Sequence, residues 1–165
     1  VAVGLEFGLC EMQIAAGLAA YTPSGMRQNI TKSHGITFIE DCYNASPTSM
    51  KASLGVLSSL AEGRKIAVLG DMLELGEISK NAHLEVGEAA GENADLLFTC
   101  GNLAEYINKG AEAKGIPSKH FENLDELCKV LVKALKNGDT VLFKASQSMK
   151  FEKLVKAVYS ALEEK

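Results

Sequence analysis

Three short stretches concentrate the side chains that could do chemistry. The first reads Asp41-Cys42-Tyr43-Asn44-Ala45-Ser46-Pro47. An aspartate at a strand end can accept two hydrogen bonds from a vicinal diol such as a ribose, and Asn44 can donate and accept in one plane, as an adenine edge requires. The same residues also suit a plain strand-to-helix turn in which Asp and Asn bond the local backbone. The second reads Gly70-Asp71-Met72-Leu73-Glu74-Leu75-Gly76-Glu77. Gly70 lets the chain turn away from a sheet, and Asp71 can orient a metal-bound water or a basic partner. Alternatively, this is a capped loop with Asp71 and Glu77 in solvent. The third reads Lys144-Ala145-Ser146-Gln147-Ser148. An amine and two hydroxyls ahead of a helix, whose first N–H groups and positive dipole end face the loop, can hold a carboxylate or phosphate. Ser148 can equally cap that helix, and the two roles are compatible.

Other chemistries lack their residues. The chain contains neither a G-x-x-x-x-G-K-[ST] loop nor a G-x-G-x-x-G element, so it has no complete phosphate cradle of its own. His34, His83 and His120 are scattered without carboxylate or cysteine partners at ligand spacing. Surface or satisfied-core roles are expected for them, and no metal ligand or catalytic residue is nominated. Cys10, Cys42, Cys100 and Cys128 lie far apart, which predicts reduced, buried, structural thiols.

The elements that must position these stretches alternate. Strands are predicted over residues 36–41, paired with 27–32, and over 65–69, 96–99, 120–122 and 140–144. Ser46 and Pro47 open a helix carrying Met50, Leu54, Leu57 and Leu60 at helical spacing. Ser79 is expected to cap a helix to about residue 93, and another runs to about 113. Asn123 and Glu126 form a capping-box pair for a helix to 135. The last helix has an apolar stripe of Phe151, Leu154, Val155, Val158, Tyr159 and Leu162. This order predicts an α/β fold: a Rossmann-like, mostly parallel sheet with helices on both faces. Ligands of such sheets sit outside the carboxyl ends of the strands, and all three stretches fall at those ends.

Composition narrows the partners. With 47% hydrophobic and 23% charged residues over 165 positions, the chain can bury a core without disulfides or metals. A net charge of −4 argues against nucleic acid or an anionic membrane as partner. The apolar opening over residues 1–20 is interrupted by Glu6 and Glu11 and is too short to span a bilayer. Residues 1–21 read as two helical pieces broken near Gly8, and residues 22–25 as a linker. The chain starts without methionine, inside a helix, as a fragment would.

Taken together, the three stretches, with His83 following the second, resemble the C-terminal domain of the Mur ligase family. The resemblance runs from about residue 21 to the end of the chain. It implies that residues 1–22 are the tail of a central ATP-binding domain, and that residues 23–165 are the C-terminal Rossmann-like domain. The branch resembled adds D-Ala-D-Ala to a UDP-N-acetylmuramoyl-tripeptide in the cytoplasm, using ATP and Mg²⁺ and passing through an acyl phosphate. The resemblance places Arg27 and Asp41 at the ATP ribose and Asn44 near the nucleotide. It places Lys144, Ser146 and Ser148 in the loop that helps hold the dipeptide. The missing N-terminal and central domains would be required partners, and this chain alone would hold no cofactor and be inactive. Two departures stand out: the family's Lys-Gly-Ser-Arg-Ser has Ala145 and Gln147 here. Two alternatives remain open. One is a stand-alone Rossmann-like module for a nucleotide or protein partner. The other is a related amide ligase of the folylpolyglutamate or cyanophycin type.

Overall fold

The computed structural model describes residues 1–21 and 25–164. The expected linker and the boundary between residues 22 and 23 therefore lie largely outside the described residues; of the linker only Gly25 is described, with φ 62°. Six strands form one sheet: β1 (Asn29–Ser33), β2 (Ile36–Asp41), β3 (Lys65–Gly70), β4 (Leu96–Cys100), β5 (Ser118–Phe121) and β6 (Thr140–Lys144). Their order is β1-β2-β6-β3-β4-β5. The β1–β2 pair is antiparallel and the other neighbours are parallel. The helices are α1 (Ala2–Glu6), α2 (Glu11–Ala19), α3 (Pro47–Leu60), α4 (Ser79–Asn93), α5 (Ala104–Ala113), α6 (Leu124–Ala134) and α7 (Phe151–Glu163). The α/β expectation is borne out.

The sheet is covered on both faces, which is why β3 and β6 read as unbroken apolar runs. Ile39, Ala67, Leu69, Leu97 and Leu142 pack against α3, α4 and α5. Phe38, Val68, Phe98, Val141 and Phe143 pack against α6 and α7. The α4–α5 contact is close because Gly87 and Gly110 meet there. A Cβ on Gly87 would lie 2.1 Å from the Ile107 carbonyl oxygen, so any side chain would force the helices apart.

Several ends differ from the sequence expectation. Ser79 is the first residue of α4 rather than its cap, because a 3-10 turn over Gly76–Ile78 leads into the helix. β5 spans Ser118–Phe121 rather than 120–122. Asn123 accepts from the Glu126 N–H at 2.9 Å, which is one half of the expected capping box. Ser148 does not cap α7: it lies in a 3-10 turn over Gln147–Met149, and Lys150, with φ 55°, intervenes before the helix. A left-handed residue interrupts the helical path, so the hydroxyl of Ser148 is not at the helix start.

The opening helices break at Gly8, as expected, with φ 74°. No residue of α1 or α2 is buried, and Val1, Val3, Leu5, Phe7, Met12 and Leu18 are all exposed. The cysteines are free, but the expectation that all are buried fails for two. Cys42 and Cys100 are buried, Cys128 is half-buried and Cys10 is exposed, since α2 lies outside the core. Among the described residues no helix is long and apolar enough to cross a membrane.

Candidate functional site

Register builds the centre of the site. In β2 and β6, Asp41 stands beside Lys144, and in-register neighbours on parallel strands point to the same face. That face is the one covered by α3. The Lys144 Nζ donates to Asp41 Oδ2 at 2.5 Å and to the Asn44 carbonyl at 3.0 Å. Ser53 of α3 adds its hydroxyl to Asp41 Oδ2 at 2.7 Å. The side chain of Lys144 is only 2% exposed and that of Asp41 12%. A buried cation and a buried carboxylate each need such a partner, because either one alone would forfeit its solvation.

The loop after β2 continues this wall. Asn44 Oδ1 accepts from the Ala45 N–H at 2.8 Å. Ser46 and Ser49 cap α3 reciprocally, with Pro47 in the first helical turn. Tyr43 is 44% exposed, and the Arg27 guanidinium lies 3.6 Å from its ring centroid, a cation–π contact. The Cys42 thiol is buried and lies 3.4 Å from the Phe143 carbonyl; burial, then the charge of Asp41, pushes its pKa up to about 12.

The loop after β6 ties back to the loop after β3. The Ser146 hydroxyl accepts from the Leu73 N–H at 2.9 Å, and its own N–H donates to the Asp71 carbonyl at 3.0 Å. Ala145 is fully buried and is not among the described non-glycine residues with positive φ. Its methyl therefore costs no backbone strain; it fills the space over Gly70, where an added Cβ would come within 2.8 Å of it.

Two cavities open side by side at this edge. One, of about 300 Å³, is lined by Arg27, Gln28, Asp41, Ser46, Ser49 and Lys144 together with Tyr43 and Asn44. The other, of about 320 Å³, is lined by Leu73, Glu74, Ser146, Gln147 and Ser148, again with Tyr43 and Asn44. The structure thus gathers all six expected residues around one shared wall. Asp41, Lys144 and Ser146 are buried, whereas Arg27, Asn44 and Ser148 are exposed. A larger cavity of about 600 Å³ lies at the amino ends of the strands, around Gly35, Gly63 and Gly138. None of the six expected residues lines it, so size alone does not make it the site.

Asp71 takes neither role considered for it. It is buried, and its Oδ1 accepts from the Leu103 and Ala104 N–H groups at 3.0 and 2.7 Å, capping α5. His83 is a satisfied core histidine, as expected. It is fully buried, its Nε2 accepts from the Met72 N–H at 2.9 Å, and its Nδ1 lies 2.6 Å from the Ser79 carbonyl. This bonding assigns the neutral Nδ1–H form. Burial, the largest influence, holds its pKa below the ordinary 6.5, although the Ser79 carbonyl and Asp71 favour the proton. Below about pH 6.5 the unfolded chain takes up a proton that the folded one resists, so this contribution to stability is present above that pH and lost as pH falls. The thermal midpoint is expected to drop between pH 7 and pH 5, with a smaller drop in His83→Gln; equal drops would rule out His83 as the cause.

Residue types and spacing did not identify two contributors. Ser53 could have been noticed as a polar residue on the apolar stripe of Met50, Leu54 and Leu57. Glu40 is buried on the opposite face and accepts from Asn29, Thr31 and Tyr159. It fastens β1 and α7 beside the site without entering it. Its partner Tyr159 is correspondingly hard to ionise: burial and the bond to Glu40 raise its pKa. Among the described residues no three His, Cys, Asp or Glu side chains converge as metal ligands.

Residues 26–147 match the family model described as Mur ligase, glutamate ligase domain. The UDP-N-acetylmuramoyl-tripeptide–D-alanyl-D-alanine ligase of Bacillus subtilis is 38% identical over 161 residues, covering 94% of this chain and 35% of that protein. The ligase of the same name from Mycobacterium tuberculosis is 42% identical over 171 residues, covering 89% and 34%. The chain therefore spans about a third of the length of these relatives. A crystal structure of MurF ligase from Thermotoga maritima in complex with ADP superimposes with a TM-score of 0.83 at 30% identity, over 99% of this chain and 36% of that one.

Proposed function

Because the chain belongs to the Mur ligase family, we propose that it is the C-terminal domain of an ATP-dependent ligase that joins D-Ala-D-Ala to a UDP-N-acetylmuramoyl-tripeptide in the cytoplasm. The observation that carries this reading is the pair of cavities sharing the Tyr43–Asn44 wall at the carboxyl edge of the sheet. Arg27, Asp41 and Asn44 form the nucleotide half, with a carboxylate for a ribose diol and an amide for a base edge. The loop bearing Ser146 and Ser148 forms the dipeptide half.

The nucleoside end of ATP fits this wall, but the chain offers no glycine-rich cradle for the triphosphate. ATP with Mg²⁺ would supply carboxylate activation, and both would be gripped by the other domains. The residues of this chain bind, orient and help exclude water, which is what a closing domain contributes to phosphoryl transfer and amide formation. Residues 1–22 are the end of the preceding domain in this reading. The exposed apolar side chains of α1 and α2 are then surface that packs against the rest of that domain, since apolar clusters of this kind mark interfaces.

The test is ATP turnover by the full-length enzyme carrying this domain. Turnover is expected to require both the muramoyl tripeptide and D-Ala-D-Ala, and this chain alone is expected to turn over nothing. ATP hydrolysis by the isolated chain, or full-length turnover indifferent to D-Ala-D-Ala, would overturn the reading.

A further inference from the structure

We infer that Lys144 is a positioning residue for the nucleotide half of the site and makes no direct contact with the dipeptide, an inference that rests on the ligase reading above. Parallel register places its side chain on the same face as Asp41. Its Nζ lies 2.5 Å from Asp41 Oδ2 and 3.0 Å from the Asn44 carbonyl, and the side chain is 2% exposed. A dipeptide carboxylate could reach this amine only by entering the buried pocket and sharing one cation with Asp41. Two carboxylates on one buried cation leave a net negative charge out of water, which is costly.

The two contacts that Lys144 makes have separate consequences. Both bonds to Asp41, from Lys144 and from Ser53, fall on Oδ2, so Oδ1 is the oxygen that a ligand hydroxyl would meet. The bond to the Asn44 carbonyl fastens the loop whose Tyr43 and Asn44 face both cavities. Lys144 lines the Arg27 cavity but not the Ser148 cavity. Its influence therefore runs through Asp41 and the nucleotide wall.

The test is a double-mutant cycle of Lys144→Met and Asp41→Asn in the full-length enzyme, reading the KM for ATP and for D-Ala-D-Ala separately. Lys144→Met is expected to raise the ATP KM about tenfold and to leave the D-Ala-D-Ala KM within about twofold. Added to Asp41→Asn, it is expected to change the ATP KM by less than about twofold, because the two act as one unit. A D-Ala-D-Ala KM about tenfold higher, or ATP effects that multiply, would overturn the inference. The double variant removes both buried charges together and so keeps the fold accessible even where Lys144→Met alone does not; its D-Ala-D-Ala KM then decides. A wild-type enzyme that forms no amide would end the ligase reading itself. ADP affinity would still test Lys144 by calorimetry, with the same non-additive tenfold loss expected.

Discussion

Asp71→Ala is expected to lower the stability of the protein by about 3 kcal/mol, because one buried and one half-buried N–H group lose their acceptor, at roughly 1–3 kcal/mol for each group left unsatisfied. The carboxylate receives the Leu103 and Ala104 N–H groups at the start of α5. It also presents negative charge to the positive end of that helix. No other group can take its place easily. Gly101 has φ 125°, and a Cβ there would lie 2.4 Å from Asp71 Oδ1, so the loop is closed tightly around the carboxylate. At this chain length such a loss corresponds to a fall of roughly 6–12 °C in the thermal midpoint. Asp71→Asn, which keeps one acceptor oxygen, should lose about half as much. A midpoint for Asp71→Ala within about 2 °C of wild type would show that the cap carries little of the fold.

The same residue shows where sequence reading stops. Asp71 follows a buried strand and looks like a candidate for water or metal chemistry, yet its partners lie 32 and 33 residues further on. Nothing local marks that contact. Local signals did define the frame well: the apolar run 66–69 gave β3, and Ser46-Pro47 gave the start of α3. Failures cluster at the ends of elements, where 3-10 turns and one left-handed residue, Lys150, decide the path. The six expected residues were nominated through family resemblance and strand-end topology, and they gather at one edge of the sheet. The Asp41–Lys144 pair was not legible, because it depends on the register of two strands whose paired residues lie 103 positions apart. Lys144, expected at the end of the last strand, read as an amine available to a ligand, whereas its strand is buried throughout and its amine is taken by Asp41.

In the proposed ligase, Asp41 lies at the wall where the nucleotide docks. Asp41→Asn in the full-length enzyme keeps the size of the side chain and removes its charge. A hydrogen bond to a charged group contributes about 1.5–3 kcal/mol, so the loss of ADP affinity should be about 10- to 100-fold. The destabilising effect of an unpartnered Lys144 must be separated from this, by measuring well below the variant's thermal midpoint and confirming the fold by circular dichroism. Calorimetric titration of ADP into wild type and Asp41→Asn is the direct measurement. An affinity at least about tenfold weaker in a folded variant is the predicted result; equal affinity would place the nucleotide elsewhere and contradict the account.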